Sequence, residues 1–307
     1  ALALELLGMD KVFDRVDMEP SGEAFNSLID LDLISNHPMN PMINSGAITV
    51  ANMLLGKMSF EEIQDVFRKV CEDPEMESNE TVFRSEMQNL SRNRAIAYLL
   101  QSKGILDDRV EETLELYTRL CSLQVTAVSL ASMGMTIAMD GKLGNGESVF
   151  TGRTMEICRT IMLTCGMYDR SGRFAVKVGL PTKSGVGGGL VSVADNHVGI
   201  GIYGPALDDK GNCVAGGPIL EYLSRELQIH LFQKNTCVDR MMEQGLLQEA
   251  KALYGTPCAG TAAQAIGCKE LFPYLKGEIS LLEATEKIKQ GTRRYAKRQL
   301  TWFHREE

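Results

Sequence analysis

The amino-acid sequence predicts an α+β fold, in which a helical region is combined with an antiparallel sheet and followed by an all-α C-terminal segment. Three observations carry this prediction. Apolar residues recur at helical spacing in the first half, short β-rich runs follow Arg173, and helical periodicity returns after Phe232. With 307 residues and 44% apolar composition, the chain can bury a sizeable core.

The helical region is expected to extend to about Met167. Its clearest pattern is an apolar stripe in which Val110, Leu114, Tyr117 and Cys121 follow at steps of four, three and four residues. The opening ALALELLG resembles the middle of a helix and lacks the basic region and cleavage site of a signal peptide. We therefore predict that the chain begins within a folded domain.

Three β-rich runs are expected to form neighbouring strands of a meander. They are FAVKVGL, GGLVSVAD and HVGIGIYG, and the turn formers PTKSGVGG and Asp195-Asn196 separate them. The periodicity of Gly217 to Phe232 predicts a helix that packs back on this sheet.

The C-terminal segment is predicted to contain three helical stretches, at Val238–Leu253, Thr261–Leu275 and Ser280–Phe303. Between Lys287 and Arg305 there are seven Lys or Arg residues and no Asp or Glu. This change of texture places a domain boundary between residues 232 and 233, with domains at 1–232 and 233–307.

Charge and cysteine content limit the classes of function. The net charge of -8 and the pI near 5.2 argue against general binding to nucleic acid or anionic lipid. Eight cysteines occur without a C-x-x-C pair, so no zinc site and no disulfide framework are expected. Residues 120–139 are uncharged but contain several Ser and Thr, which predicts a buried helix rather than a membrane span. We predict a cytoplasmic protein without a metal or cofactor.

The segment from Cys165 to Gly189 is the most informative for chemistry. Its glycines are not a Walker motif, because Lys183 follows Thr182 and not a glycine. Lys183-Ser184-Gly185, expected at the start of a strand, matches the K-[ST]-G element of penicillin-recognising enzymes. In that element a hydroxyl and an ammonium group line an acyl-transfer pocket.

Six motifs in order make the chain similar to the serine-dependent glutaminase family over residues 1 to about 232. They are EPSG…FNSL at 19–28, NPMINSGAI at 40–48, RSEMQNLSRN at 84–93, LYTRLCS at 116–122, CGMYDRSG at 165–172 and GLPTKSGVGGG at 179–189. The resemblance implies a β-lactamase-like (penicillin-binding-protein-like) fold, a homo-oligomer, and hydrolysis of L-glutamine to L-glutamate and ammonia through a serine acyl-enzyme.

The resemblance also implies a glutamine pocket. Its residues would be Asn44, Glu86, Asn93, Tyr117, Tyr168 and the backbone of Val186. Such a set suits the ligand, because glutamine carries an ammonium group, a carboxylate and an amide, and an anionic side chain, neutral polar groups and an oxyanion donor match them. Glu86 is the expected ammonium partner. Glu86 and Asn93 lie seven residues apart, so in one continuous helix they would face the same pocket.

Simpler interpretations exist for three of these residues. Tyr117 would serve core packing, Asn44 would cap a helix beginning at Ser45, and Glu86 would form a solvated pair with Arg84. The motif order favours the pocket.

For catalysis, the resemblance assigns proton transfer to Tyr168 and requires a nearby cation such as Lys183, while Ser184 relays a proton or orders the pocket. The family's nucleophile lies in an S-x-x-K motif, and no serine of residues 1–307 is followed three positions later by lysine. Removal of such a serine elsewhere lowers turnover roughly a million-fold. We therefore expect an N-terminally truncated chain, inactive as written.

Residues 235–305 resemble the C-terminal part of bacterial tRNA dimethylallyltransferase. The resemblance rests on VDRMMEQGLLQEAKAL, AAQAIGCKELFPYLKGEISLLEA and TRRYAKRQLTWFHRE. Arg293, Arg294, Lys297 and Arg298 would contact RNA phosphates, and the alternative is a solvated basic helix. No P-loop occurs in the 307 residues, so this chain cannot perform dimethylallyl transfer. Besides a glutaminase, the sequence thus leaves open a tRNA-binding fragment or a composite chain with neither activity.

Overall fold

The computed structural model of the protein describes residues 1–28, 36–194, 198–232, 237–256, 265 and 267–303. Within the helices after residue 236, the side chains of residues 237, 240, 293 and 295–303 are not described. The chain divides into two compact units, residues 1–231 and residues 232–307.

The first unit is mainly helical up to the sheet, as predicted. Its helices α1 to α11 span, in order, Leu2–Leu7, Met9–Phe13, Asn44–Leu54, Phe60–Val70, Glu80–Gln88, Ser91–Ser102, Val110–Cys121, Ala127–Ala138, Gly152–Cys165, Ser171–Lys177 and Gly216–Leu227. A short 3-10 turn, Tyr168–Arg170, joins α9 to α10. The predicted stripe on α7 is confirmed for Val110, Leu114 and the half-buried Tyr117, which pack in the core shared with α3 and α6, whereas Cys121 is exposed.

Three antiparallel strands form the described sheet, with order β1-β2-β3 and bounds Thr182–Ser184, Gly189–Ala194 and Val198–Tyr203. The meander is confirmed, but the strand predicted for FAVKVGL is wrong, because this run lies mostly in helix α10. Phe174 and Val178 pack one helical turn apart against the same core, while Val176 between them is 80% exposed. Lys183 and Ser184 are the second and last residues of the short strand β1, which begins one residue before the predicted Lys-Ser-Gly element.

The helix predicted within the uncharged residues 120–139 is present as α8, Ala127–Ala138, but it is shorter than that range and separated from α7 by a loop. Helix α7 ends at Cys121, and α8 begins only after Thr126, whose side chain accepts a hydrogen bond from the backbone of Ser129 in a capping box. None of the described helices is both long enough and apolar enough to cross a bilayer.

Helix α8 packs on β2 and β3 at very short range. A Cβ atom at Gly201 would stand 1.9 Å from the carbonyl oxygen of Ala127, and one at Gly199 would stand 2.1 Å from that of Ala131. Only glycine permits this approach. The sheet is thereby held against the helical region, with the end of β1 beside α9.

The second unit contains helices α12 to α15, at Cys237–Glu243, Leu246–Leu253, Cys268–Leu275 and Leu281–Phe303. The helix predicted for Val238–Leu253 is interrupted at Gly245, which has a left-handed φ of 108°. Of the helix predicted for Thr261–Leu275, the part at Cys268–Leu275 is confirmed as α14, and residues 261–264 and 266 lie outside the described residues. The second unit has its own hydrophobic core, whose fully buried residues include Leu271, Ala284 and Ile288.

Candidate active site

Asn44 is the first residue of α3, and its side chain points to a neighbouring helix. The amide Nδ2 of Asn44 donates a 2.9 Å hydrogen bond to Oδ1 of Asn93 at the start of α6. The helix is capped by Ile43, without a side-chain hydrogen bond. The alternative that Asn44 caps a helix beginning at Ser45 is therefore wrong, and two of the predicted pocket residues touch.

Glu86 and Asn93 do not share one helix. Helix α5 ends at Gln88 and α6 begins at Ser91, so the prediction that one continuous helix turns both residues to the same pocket is wrong. Tertiary contacts, and not helical spacing, determine their positions. The surface pair of Glu86 with Arg84 is wrong as well, because Arg84 donates to Glu80 at 2.9 Å. Glu86 is exposed.

Tyr117 combines core packing with a polar contact. Its half-buried ring packs against the core around Leu114 on α7. Burial raises the pKa of Tyr117 well above its usual range. The phenol is hydrogen-bonded to the adjacent Cys121, and this residue and the Glu86 carboxylate raise the pKa further. The phenol is thus protonated at neutral pH and can donate a hydrogen bond.

Cys121 is a neighbour of the candidate pocket residues that sequence reasoning missed. Burial raises the pKa of its thiol, and the negative charge of Glu86 raises it further. The hydrogen bond from Tyr117 and the positive charge of Lys183 lower the same pKa. The thiol therefore lies within the electrostatic range of both an anionic and a cationic pocket residue. Its position one helical turn after Tyr117 was the available signal.

Tyr168, Lys183 and Ser184 form the most compact group of the site. The hydroxyl of Tyr168 donates a 2.9 Å hydrogen bond to the carbonyl oxygen of Ser184, which also accepts from the Lys183 ammonium group. That ammonium lies 3.3 Å from the Tyr168 hydroxyl oxygen and 4.4 Å from the ring centroid. Phe25, which sequence reasoning also missed, packs on the Tyr168 ring with its own centroid 4.9 Å away.

Burial shifts the pKa values of this pair in opposite directions. It lowers the pKa of Lys183 from 10.5 to about 8, because an ammonium group loses hydration there. It raises the pKa of Tyr168 to about 12, and the adjacent Cys121 contributes to this rise. Of the two, Lys183 is therefore the group that can change its protonation near neutral pH.

Ser184 and Val186 contribute a hydroxyl and a backbone amide. The Ser184 side chain is fully buried, and its Oγ has no hydrogen-bond partner among the described residues. Val186 is 53% exposed at the tip of a turn closed by a hydrogen bond from the Gly188 amide to the Gly185 carbonyl oxygen. In the described part of the chain no hydrogen bond uses the Val186 amide. The Val186 amide is therefore free of hydrogen bonds to described residues in an exposed turn, whereas the Ser184 hydroxyl is a polar group inside the protein, unpaired among the same residues.

A cavity of about 360 Å³ borders this site on the helical side. Tyr117 and Cys121 line it together with mainly apolar side chains of α1, α2, α3 and α9. Cys121 is exposed to this cavity. Protein atoms nevertheless surround its thiol closely enough for burial to raise the pKa.

The predicted RNA-contacting residues lie in the second unit, on α15. Arg294 is exposed. The side chains of Arg293, Lys297 and Arg298 lie outside the described residues. Lys289 on the same helix is already engaged, at 3.0 Å from Asp239 and 3.2 Å from Glu286. Among the described residues there is no cluster of three potential metal ligands.

Two family models match the chain in tandem. The model described as Glutaminase matches residues 1–232, and the model described as IPP transferase matches residues 233–306. A curated relative, Glutaminase 2 of Clostridium perfringens, is 46% identical over 230 residues, which is 73% of this chain and 75% of the relative.

Solved structures of glutaminases resemble the first unit. A Bacillus glutaminase crystallised in the presence of 4.3 M NaCl has 40% identity and a TM-score of 0.71 over 75% of this chain and 80% of its own. The Bacillus subtilis glutaminase in covalent complex with 5-oxo-L-norleucine has 37% identity and a TM-score of 0.66 over 75% of this chain and 77% of its own. The β-lactamase-like fold class is confirmed.

Proposed function

The chain belongs to the glutaminase family, whose members hydrolyse glutamine, and we propose that the residues around Tyr168 and Lys183 bind L-glutamine for this reaction. The observation that carries the proposal is the contact of the Lys183 ammonium group with the Tyr168 hydroxyl, beside the buried hydroxyl of Ser184. The covalent complex of the Bacillus subtilis relative with 5-oxo-L-norleucine supports a ligand of this chemistry.

Each part of glutamine has a proposed partner. Glu86 pairs with the α-ammonium group, since it is the acidic side chain whose field reaches Tyr117 and Cys121. Asn44 and Asn93 hold the α-carboxylate region through amide donors. The Val186 amide, which no hydrogen bond between described residues uses, stabilises the developing oxyanion of the γ-amide carbonyl.

We propose that Lys183 gives and takes the proton, with Tyr168 as its partner, which exchanges the roles that the family resemblance implies for these two residues. A group with a pKa of about 8 is poised to give or take a proton near neutral pH, whereas a phenol with a pKa of about 12 stays protonated and acts as a donor. Hydrolysis of the γ-amide proceeds through attack of a nucleophile on the carbonyl carbon, departure of ammonia after protonation, and attack of water on the acyl-enzyme.

Residues 1–307 contain no S-x-x-K motif, so we propose that this chain by itself binds glutamine without turnover. Isothermal titration with L-glutamine measures binding, and an ammonia-release assay measures turnover. Lys183→Met and Tyr168→Phe are expected to weaken binding, whereas Lys177→Met, in a surface pair with Glu221, serves as the matched control. Absence of binding would contradict the assigned pocket, and robust ammonia release would contradict the missing nucleophile.

A second candidate function concerns residues 233–307, for which we propose contact with tRNA. The match to an IPP transferase model and the seven Lys or Arg residues from 287 to 305 support it. Filter binding of tRNA is expected to weaken when Arg293, Arg294, Lys297 and Arg298 are all changed to Gln. Lys269→Gln and Lys276→Gln remove charge elsewhere in the same unit and are expected to leave binding unchanged. If both sets of variants lost tRNA affinity equally, binding would be explained by general charge attraction and the proposed contact residues would be contradicted.

Family analogy further leads us to propose a homo-oligomer located in the cytoplasm. The six cysteines described have free thiols, which agrees with a reducing compartment. Sedimentation velocity of the purified chain tests the oligomeric state.

A further inference from the structure

The backbone of Tyr168 adopts a conformation that a non-glycine residue rarely holds. Its φ is 55°, in the left-handed region. Such a residue persists where its surroundings force it, and outliers of this kind cluster at functional sites. The hydrogen bonds of its neighbours show part of that force: Ser171 Oγ donates to the Tyr168 carbonyl at 2.8 Å and accepts from the Met167 amide at 3.0 Å.

Ion pairs hold the two residues that follow Tyr168. Arg170 pairs with Asp208 at 3.0 Å and with Asp209 at 2.8 Å, and Lys210 pairs with Asp169 at 2.8 Å. Each pair joins the 3-10 turn to the loop between β3 and α11. The carboxylates of Asp169 and Asp208 are only 17% and 23% exposed, whereas their partners Lys210 and Arg170 are 40% and 43% exposed, so both pairs are fixed on the acidic side and still open to solvent ions on the basic side.

The loop at residues 208–212 is itself a rigid turn. Asp208 Oδ1 accepts hydrogen bonds from the amides of Lys210 at 2.9 Å and Asn212 at 3.0 Å, and the amide of Asp208 donates to the Asn212 carbonyl oxygen. Gly211 completes the turn with a φ of 82°. One carboxylate, that of Asp208, therefore orders the loop and binds Arg170.

The same loop lies against two further elements of the pocket. A Cβ atom at Gly211 would stand 3.2 Å from the Phe25 ring and 3.4 Å from Cγ1 of Val186. Phe25 in turn packs on the Tyr168 ring. The loop therefore contacts the ring that supports Tyr168, the turn that carries the Val186 amide, and the residues that follow Tyr168.

We propose that the loop at residues 208–212 is a positioning device, which sets the orientation of Tyr168 and of the Val186 turn through the ion pairs of Arg170 with Asp208 and of Asp169 with Lys210. None of these charged side chains needs to touch the ligand. The proposal rests on the proposed glutamine site for its functional consequence. Its structural consequence, a change at Tyr168 when an ion pair is broken, does not depend on glutamine.

The test uses the 307-residue chain with ¹³C-labelled tyrosine, whose Tyr168 ring signal is identified by its loss in Tyr168→Phe. Arg170→Gln and Asp208→Asn remove the charges, and Asn at 208 keeps an oxygen for the turn. We expect each variant to shift the Tyr168 signal and to weaken glutamine binding about two- to fivefold, the size that a partly exposed ion pair allows. Arg170→Lys should restore part of both effects, and the double variant should cost no more than one single change.

Arg153→Gln is the matched control, because Arg153 pairs with Glu156 at 2.9 Å on the surface of α9. It should change neither readout. An unmoved Tyr168 signal with unchanged binding in both Arg170→Gln and Asp208→Asn would overturn the proposal. If the unmutated chain fails to bind glutamine while the signal still shifts, the proposed function fails and the positioning device stands.

Salt provides a measurement that does not depend on how well a variant folds. At about 1 M NaCl the screening length falls to about 3 Å, which weakens exposed pairs. The Tyr168 signal of the unmutated chain should then move toward its position in Arg170→Gln. A signal that stays in place up to that concentration would overturn the proposal as well.

Discussion

The ammonium group of Lys183 lies 3.3 Å from the hydroxyl oxygen of Tyr168 and 4.4 Å from the centre of its ring. This contact places a cation with a lowered pKa beside a phenol with a raised one. Burial disfavours the charged form of each group, so the neutral forms of both are favoured here relative to water. The free-energy cost of burying this ammonium group can be measured.

Lys183 is expected to destabilise the folded chain at neutral pH. Lowering its pKa from 10.5 to about 8 corresponds to a cost of about 3 kcal/mol while the group is charged in both states. Between these two pH values the unfolded chain binds a proton that the folded chain has lost, so this contribution raises stability as pH increases from about 8 to 10.5. Below pH 8 the cost is present in full.

Urea unfolding at several pH values from 7 to 10 checks this prediction. Lys183→Met should raise the free energy of unfolding at pH 7 by about 1 to 3 kcal/mol, and the gain should shrink toward pH 10. Lys177→Met removes a surface ammonium group and should show no such pH dependence. A constant difference between Lys183→Met and the unmutated chain across the range would contradict the shifted pKa.

Asn44 and Asn93 are expected to act as a unit in glutamine binding. Their 2.9 Å hydrogen bond orients both amides, so each single change to Ala should weaken binding roughly five- to tenfold. The double variant should be little worse than either single variant, because the first change already releases the partner. Titration calorimetry on the four chains measures the coupling, and strictly additive losses would show that the two amides work independently.

Glu86 is expected to discriminate for the α-ammonium group of the ligand. Glu86→Gln should weaken L-glutamine binding about tenfold, because the charged hydrogen bond is lost. The same change should leave the affinity for glutaramate, which lacks the amino group, unaltered. Glu80→Gln, which removes the partner of Arg84 on the same helix, is the matched control. Equal losses for both ligands would assign Glu86 a structural role.

The packing of α8 on the sheet is expected to depend on Gly201. Its Cβ atom would collide with the Ala127 carbonyl oxygen at 1.9 Å, so Gly201→Ala should lower the free energy of unfolding by about 3 kcal/mol or more. A methyl group added at Gly172 on α10 would meet no atom within 4 Å, and Gly172→Ala should instead add about 0.5 to 1 kcal/mol. Thermal unfolding of the two variants compares these opposite signs; a mild effect at Gly201 would mean that α8 can move outward.

The sequence predicted the helical region, the meander and the second helical segment because these features depend on local periodicity. The stripe from Val110 to Cys121 is an example, since its residues lie on one helix at steps of three and four. The strand predicted for FAVKVGL was wrong because local periodicity was the only guide there. Its alternation fits a strand, but burial of Phe174 and Val178 on one face, with Val176 exposed, made it a helix.

The sequence by itself determined the membership of the family and the identity of the candidate pocket residues. Both depend on motifs that are recognised from the order and spacing of residues, and no distance in space is needed. Only the tertiary structure decided that α5 and α6 are separate helices, that Cys121 contacts Tyr117 and that Phe25 packs on Tyr168. It also decided the pKa of Lys183 and the ion pairs of Arg170. Desolvation and charge pairing depend on atoms distant in the chain, and no local spacing encodes those distances.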